Sequence, residues 1–267
     1  MKSTIVVVGI LALLIWAMTV QAVTTYTGTS LSSKALLLVQ AATTYLWTGE
    51  VGNGMYLSGG NWTPEGPPFP PCKPIIYSGE TVTVKPLIGP PPSECIAYAG
   101  VGEGPMEVSG DSTLVLEEGC RVVGAFALGI SGTKGTIIQN GGTWWAGGMA
   151  DFTIGASGPG EYQLLGGVLG DEKDGPDGLG YFTIGYDSTV QGTFIMKPHT
   201  VVKTRADYRM VIRNGTWTMD GGAIRTNTFW LGGEWSSTHD PASVITWNIN
   251  STGVDIVIGS DYVNPER

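Results

Sequence analysis

Histidine and cysteine are scarce in this 267-residue chain: two His (His199, His239) and three Cys (Cys72, Cys95, Cys120). No cysteine has metal-ligand spacing, and two histidines are too few for a typical zinc site. An odd cysteine count leaves one thiol outside any intrachain pairing. A Cys72–Cys95 disulfide is expected to close the Pro-rich loop between them in an oxidising compartment, stabilising the fold by about 2–4 kcal/mol. Charge is also sparse, with 14% charged residues, no basic run and a net charge of −9. Such a chain cannot neutralise phosphates, which excludes a general nucleic-acid binder. Its acidity suits divalent cations or neutral sugars instead. No nucleophile motif of the G-x-S-x-G type occurs.

The one long apolar run is at the start. A single Lys2 precedes Ile5 to Val20, and Val20-Gln21-Ala22 places small residues at both cleavage-determining positions. This is the layout of a secretory signal peptide, residues 1–22, cleaved after Ala22; the other reading is an uncleaved membrane anchor, for which the run is slightly short. No later segment is apolar enough to span, so the mature chain is expected to be exported, secreted or at the cell surface, with no membrane contact after cleavage. The 41 Gly and 16 Pro favour many short strands and tight turns over helical packing.

The chain repeats. GTIIQNGGTW from Gly135, GEYQLLGGVL from Gly160, GTFIMKPHTV from Gly192 and GTWTMDGGAI from Gly215 share a leading Gly, an apolar residue two positions on and, in three copies, a Gly pair at six and seven. FTIG recurs identically at Phe152 and Phe182, and the copies lie 25, 32 and 23 residues apart. Self-similarity at such intervals marks stacked coils. Two after the Gly stand Ile137, Tyr162, Phe194 and Trp217; four after stand Gln139, Leu164, Met196 and Met219. Period-2 alternation turns both columns inward. Nine after stand Trp144, Leu169, Val201 and Ile224. Thr136, Glu161, Thr193 and Thr216, one after the Gly, face water. The Gly pairs supply a φ > 0 corner, replaced in the third copy by Pro198-His199. Ser112 in place of the leading Gly makes an earlier copy, and Glu80 to Val84 alternates as a strand with one buried face. Each coil is expected to hold two or three short strands, stacking parallel on its neighbours.

Ahead of the coils, Val23 to Tyr45 is Thr- and Ser-rich, a leader that is either flexible or donates a strand to an exposed sheet edge. Residues 46–78 hold Trp47, Trp62 and a proline cluster and are expected to cap the first coil, the two Trp acting as plugs or, on a second reading, as a sugar-stacking pair. The coils are expected over 79–267, with an acidic loop at 170–181 extruded to one side. The pattern loosens after Gly215, and the C-terminal coil is expected to be uncapped and to offer a surface for self-association. The copies, such as Phe152 to Gly167, and the Trp47 to Pro64 opening resemble secreted proteins of planctomycetes and related bacteria, the autotransporter-associated β-strand repeat and sorting-signal-associated proteins. That resemblance implies a single-stranded right-handed parallel β-helix at the cell surface and no catalytic residues.

Candidate chemistry is thin. Asp171, Asp174 and Asp177, with Glu172, crowd beside Gly175 and Gly178; oxygen-rich Gly loops suit Ca²⁺, and the competing reading is a solvated acidic turn. Parallel β-helices include polysaccharide lyases and hydrolases, so Asp207, Asp220, Arg213 and Arg225 form an alternative catalytic set, opposed by simple surface ion pairing. Trp144 and Trp145 are adjacent in a strand, so one faces out and could contact a carbohydrate or a protein partner. Sequons occur at Asn61, Asn214 and Asn250. The expected protein is an all-β, non-catalytic surface or matrix solenoid, adhesive or structural, requiring no cofactor. The alternatives are a polysaccharide-active enzyme and a carbohydrate-binding module.

Overall fold

The computed structural model describes residues 43–86, 95–100, 104–145, 151–170, 180–186, 189–204, 209–226, 228–231 and 244–258. The signal segment, residues 23–42 of the leader, and the candidate residues Asp171, Asp174, Asp177 and Asp207 lie outside them. The chain is all-β; among the described residues the helical element is one 3-10 turn, Gly59–Asn61. No helix among them is long and apolar enough to cross a membrane.

The strands form three sheets, one of nine strands and two of seven. From Cys72 onward successive strands visit the first, second and third sheets in turn. The first coil is Cys72–Ile76, Thr81–Val84 and Cys95–Tyr98; the seventh is Thr228–Leu231, Ile245–Ile249 and Val254–Ile258. Every pairing within these coils is parallel, an arrangement consistent with a β-solenoid. The second sheet carries the repeat. Ser112, Gly135, Gly160, Gly192 and Gly215 are successive Cα partners, as are Leu114, Ile137, Tyr162, Phe194 and Trp217.

Close approach explains the leading glycines. A Cβ on Gly135 would lie 1.8 Å from the carbonyl oxygen of Val108, and one on Gly215 would lie 2.0 Å from that of Gly192. At the corner between the second and third sheets the reason is dihedral: Gly142, Gly167 and Gly222 have φ of +68°, +80° and +90°. His199 takes this left-handed conformation at φ +64°; histidine tolerates it better than a β-branched residue would. The Pro198-His199 corner is one residue longer than the Gly-Gly corners. Val202, not the expected Val201, therefore pairs with Leu169 and points inward.

The inward columns make one continuous core. Phe126 packs edge-on against Phe152 at 4.6 Å between ring centroids, and Phe194 against Trp217 at 4.9 Å. Edge-to-face geometry aims a ring's positive edge at a negative face, adding to the burial gain. Gln139 is the polar exception in its column, and every polar atom is used. Its Nε2 donates to the carbonyls of Gly142 (3.1 Å) and Val168 (3.0 Å), and its Oε1 accepts from the Tyr162 hydroxyl at 2.5 Å. Burial raises the Tyr162 pKa well above its ordinary value, so the phenol stays a donor.

At the N-terminal end, Thr43–Trp47 extends the first sheet by pairing parallel with Cys72–Ile76, and Trp62–Thr63 adds antiparallel to it. Met55 bridges to Thr83 of the second sheet, and the Tyr56 hydroxyl donates to the carbonyl of Tyr98 in the third. Trp47, Tyr56 and Trp62 are buried, with ring centroids 5.1 Å (Trp47–Trp62) and 4.9 Å (Tyr56–Trp62) apart. The boundary expected at 78/79 falls inside the first coil, because Cys72–Ile76 is already a strand. Pro74 disguised it by reading as part of the proline cluster; it pairs opposite Tyr45 near the sheet's edge, where proline is tolerated.

The expected Cys72–Cys95 disulfide does not form. Cys95 bonds Cys120, with Cα atoms 4.6 Å apart, and the two are register partners in adjacent coils of the third sheet. Cys72 lies in the first sheet, fully buried and outside the disulfide. Coiling places residues one turn apart in contact, so the nearest cysteine in sequence is not the nearest in space.

Peptide mapping without reduction is expected to recover a Cys95–Cys120 cross-linked peptide, with Cys72 alkylated only after denaturation. Gly135→Ala is expected to destabilise by about 1–3 kcal/mol through overpacking. Gly253→Ala, whose Cβ would meet nothing nearer than Ser251 Oγ at 3.5 Å, is expected to stay within about 0.5 kcal/mol of wild type. Urea melts of the two variants test the pair.

Candidate functional site

The described members of the alternative catalytic set, Asp220, Arg225 and Arg213, sit on different parts of the coil. Asp220 follows a second-sheet strand; its Oδ2 forms an ion pair with Lys197 of the coil before, and its Oδ1 accepts from Asn250 Nδ2 of the coil after at 2.9 Å. The hydrogen bonds from Lys197 and Asn250 hold its pKa below the ordinary value, which keeps it ionised and unsuited to donate a proton. Arg225 faces outward from the third sheet and pairs with Asp255 one coil on. Arg213 sits at the corner between the first and second sheets, donating from Nη1 to the Tyr186 carbonyl at 2.8 Å and stacking over the Tyr186 ring. Asp207 lies outside the described residues, as do the three loop aspartates, so neither the fourth member of the set nor the calcium candidate is placed.

An open groove of about 500 Å³ runs along the corner of the second and third sheets, lined in part by His199, Thr200, Gly222, Ser251 and Asp255; neither Asp220 nor Arg225 lines it. Among the described residues no three His, Cys, Asp or Glu side chains are grouped to hold a metal ion. The sequons divide: Asn61 and Asn214 are buried, and Asn250 is exposed and bound to Asp220.

The tryptophan pair separates as the alternation requires. Trp144 is core, its Nε1 donating to the Gly124 carbonyl at 2.8 Å and its ring packed on Phe126. Trp145 faces out from the third sheet, half-buried, with the Arg121 guanidinium 4.4 Å above its ring. Stacked arginine and tryptophan attract through the ring quadrupole.

Coil register adds residues to Trp145 that sequence reading missed. Val123 is the Cα partner of Trp145 in the coil before, and Tyr98 is the partner of Val123 in the coil before that. All three point outward. Phe69 lies edge-on to Tyr98 at 5.6 Å between centroids and is 67% exposed. The signal was faint, because these residues lie in the first two coils, where the chain has not yet settled into its repeat.

On the second sheet's outer face, Lys134 pairs with Glu161 at 2.6 Å. Partial burial works to raise the Glu161 pKa, but the Lys134 and Gln163 hydrogen bonds and the Lys134 charge outweigh it and hold it below the ordinary 4.5.

Compared with models of known protein families, with characterised proteins and with solved structures, the chain matches none.

A carboxylate whose pKa is lower in the folded than in the unfolded chain stabilises the fold above the unfolded value and loses that contribution as pH falls. The melting temperature is therefore expected to fall as pH drops below about 4.5, the ordinary glutamate value. Glu161→Gln is expected to flatten that decline in a thermal-melt series from pH 7 to pH 3.

Proposed function

We propose that the protein is an exported, non-catalytic β-solenoid of the cell surface or extracellular matrix, adhesive or structural in role. On this reading the coil is right-handed, as parallel crossovers between strands almost always are, and the Trp47–Tyr56–Trp62 segment is its N-terminal cap. The observation that carries the reading is the outward second-sheet column. From coil to coil it runs Thr81, Thr113, Thr136, Glu161, Thr193, Thr216, Thr246. A face that repeats threonine in six of seven coils, with Glu161 paired to Lys134 in the other, suits extended contact, whereas an active site concentrates unlike charges at one level. The signal-peptide layout and the resemblance to planctomycete β-strand repeat proteins support the location. Leu231, Ile249 and Ile258 on the last described coil, each about half exposed, support self-association through that coil.

The polysaccharide-active reading would need Asp220 and Arg225, but each is engaged by a partner of opposite charge. The acidic loop is read as a solvated turn, and no cofactor is required.

Incubation with uronic-acid and neutral polysaccharides is expected to release no new reducing ends; turnover of either would overturn the non-catalytic reading. Light scattering is expected to show mass rising with concentration, and a monomer throughout would remove self-association. The melting temperature is expected to be the same in chelator and in excess Ca²⁺.

A further inference from the structure

We propose that the outer face of the third sheet over the first three coils binds an acidic polysaccharide, a β-linked chain carrying uronic acids, laid along the coil axis. This deepens the surface reading and rests on it for access to extracellular glycan.

The first observation is the aromatic row. Tyr98, Val123 and Trp145 form one outward column, and Phe69 sets its ring edge-on to Tyr98. Neighbouring strands lie about 4.8 Å apart, so Tyr98 and Trp145, two strands apart, are separated by about 9–10 Å. That interval is close to one disaccharide of an extended β-linked glycan, so alternate sugars can meet successive rings. Sugar rings carry apolar C–H faces that pack on aromatic faces. Packing alone does not account for the row: the core rings point inward and are buried, while Phe69 stands 67% exposed. A row parallel to the axis fits a linear polymer better than a compact ligand.

The second observation is the charge beside the row. Arg121 is exposed, and among the described residues no carboxylate lies within ion-pair distance of it. Lys73, Lys134, Lys197 and Arg225 are each paired with an acid. Its register neighbours in the coils before and after are Ile96 and Thr143, both neutral. In a chain of net charge −9, a guanidinium in no ion pair and with neutral register neighbours is open to a carboxylate from outside. Arginine's planar fork binds a carboxylate bidentately. The stacking over Trp145 holds that fork beside the aromatic row, so one sugar can pack on Tyr98 while the next presents its carboxylate to Arg121.

Single-stranded nucleic acid also combines stacking with negative charge. It needs cations at nearly every phosphate step, and one arginine on an acidic protein does not supply them. A glycan with one carboxylate per disaccharide needs only the one.

Affinity electrophoresis of the folded full chain through gels containing hyaluronan, in which glucuronate alternates with a neutral sugar, tests the site. Hydroxyethyl cellulose and oligo-dT serve as neutral and nucleic-acid comparisons. The expected result is retardation in hyaluronan, at least tenfold weaker for Trp145→Ala and for Arg121→Gln, little retardation in hydroxyethyl cellulose and none with oligo-dT. Arg121→Gln alters an exposed side chain, so its melting temperature is expected to match wild type even if Trp145→Ala proves unstable. Absence of retardation in hyaluronan, equal retardation of Arg121→Gln and wild type, or tighter binding to oligo-dT overturns the proposal. Cleavage of retained hyaluronan would overturn the non-catalytic reading and leave the site standing. Failure to bind, with no cleavage of any polysaccharide, would remove the site and leave that reading intact.

Discussion

Everything in this fold depends on how closely one coil can sit on the next. At the turn into the second sheet the backbone of one coil passes so near its neighbour's carbonyls that a methyl group would collide with Val108 at Gly135 or with Gly192 at Gly215. The hydrogen bonds between coils set the stacking height, and glycine at these positions lets the chain turn at that height without a clash. Once the register holds, Ile137, Tyr162, Phe194 and Trp217 must fall in one column, and the core follows. The hydrophobic effect supplies the drive, but it is non-directional; the glycine corners decide which residues share a level.

The corners divide the labour. Between the second and third sheets the later turns are tight and nearly uniform, as from Leu164 to Val168 or from Met219 to Gly222. Between the third and first sheets the connection varies, from the single step after Thr226 to the long span between Leu169 and Phe182. Extra chain is therefore admitted at this edge. Arg209, over the rings of Tyr181 and Trp230, sits where the longest of these insertions returns to the first sheet. The second sheet, and after its first turn the third, remain uninterrupted along the axis, which is why regular columns persist on their outer faces.

Much of this was legible in the chain, and the reasons differ by element. The second-sheet register could be read residue by residue, because its glycines and aromatic column recur at matched positions. The third strand of each coil was recovered as far as Trp144 and Leu169 and then slipped by one at Val202, since nothing local announces that Pro198-His199 adds a residue. First-sheet strands such as Met106–Val108 span three residues and carry too little pattern to stand out from turns. The disulfide and the Phe69–Tyr98–Trp145 row were invisible for a shared reason. Both join residues about one or two turns apart, and such distances are known only after the turn length is known. Asp220 and Arg225 drew notice as a late cluster of charge, yet each is matched to a partner one coil away, a relation that linear proximity conceals.

The Cys95–Cys120 bond has a bearing on how the molecule comes apart. In a stack whose units touch only their neighbours, disorder spreads inward from the ends one unit at a time. The cross-link ties the first coil to the second, and the buried Trp47, Tyr56 and Trp62 belong to the same core at that end, so melting from there meets covalent resistance at the outset. The far end has no cross-link among the described residues. Loss of structure then acquires a direction, running from the last coil toward the first, and a partly melted molecule keeps its N-terminal coils as a template on which the rest can rewind.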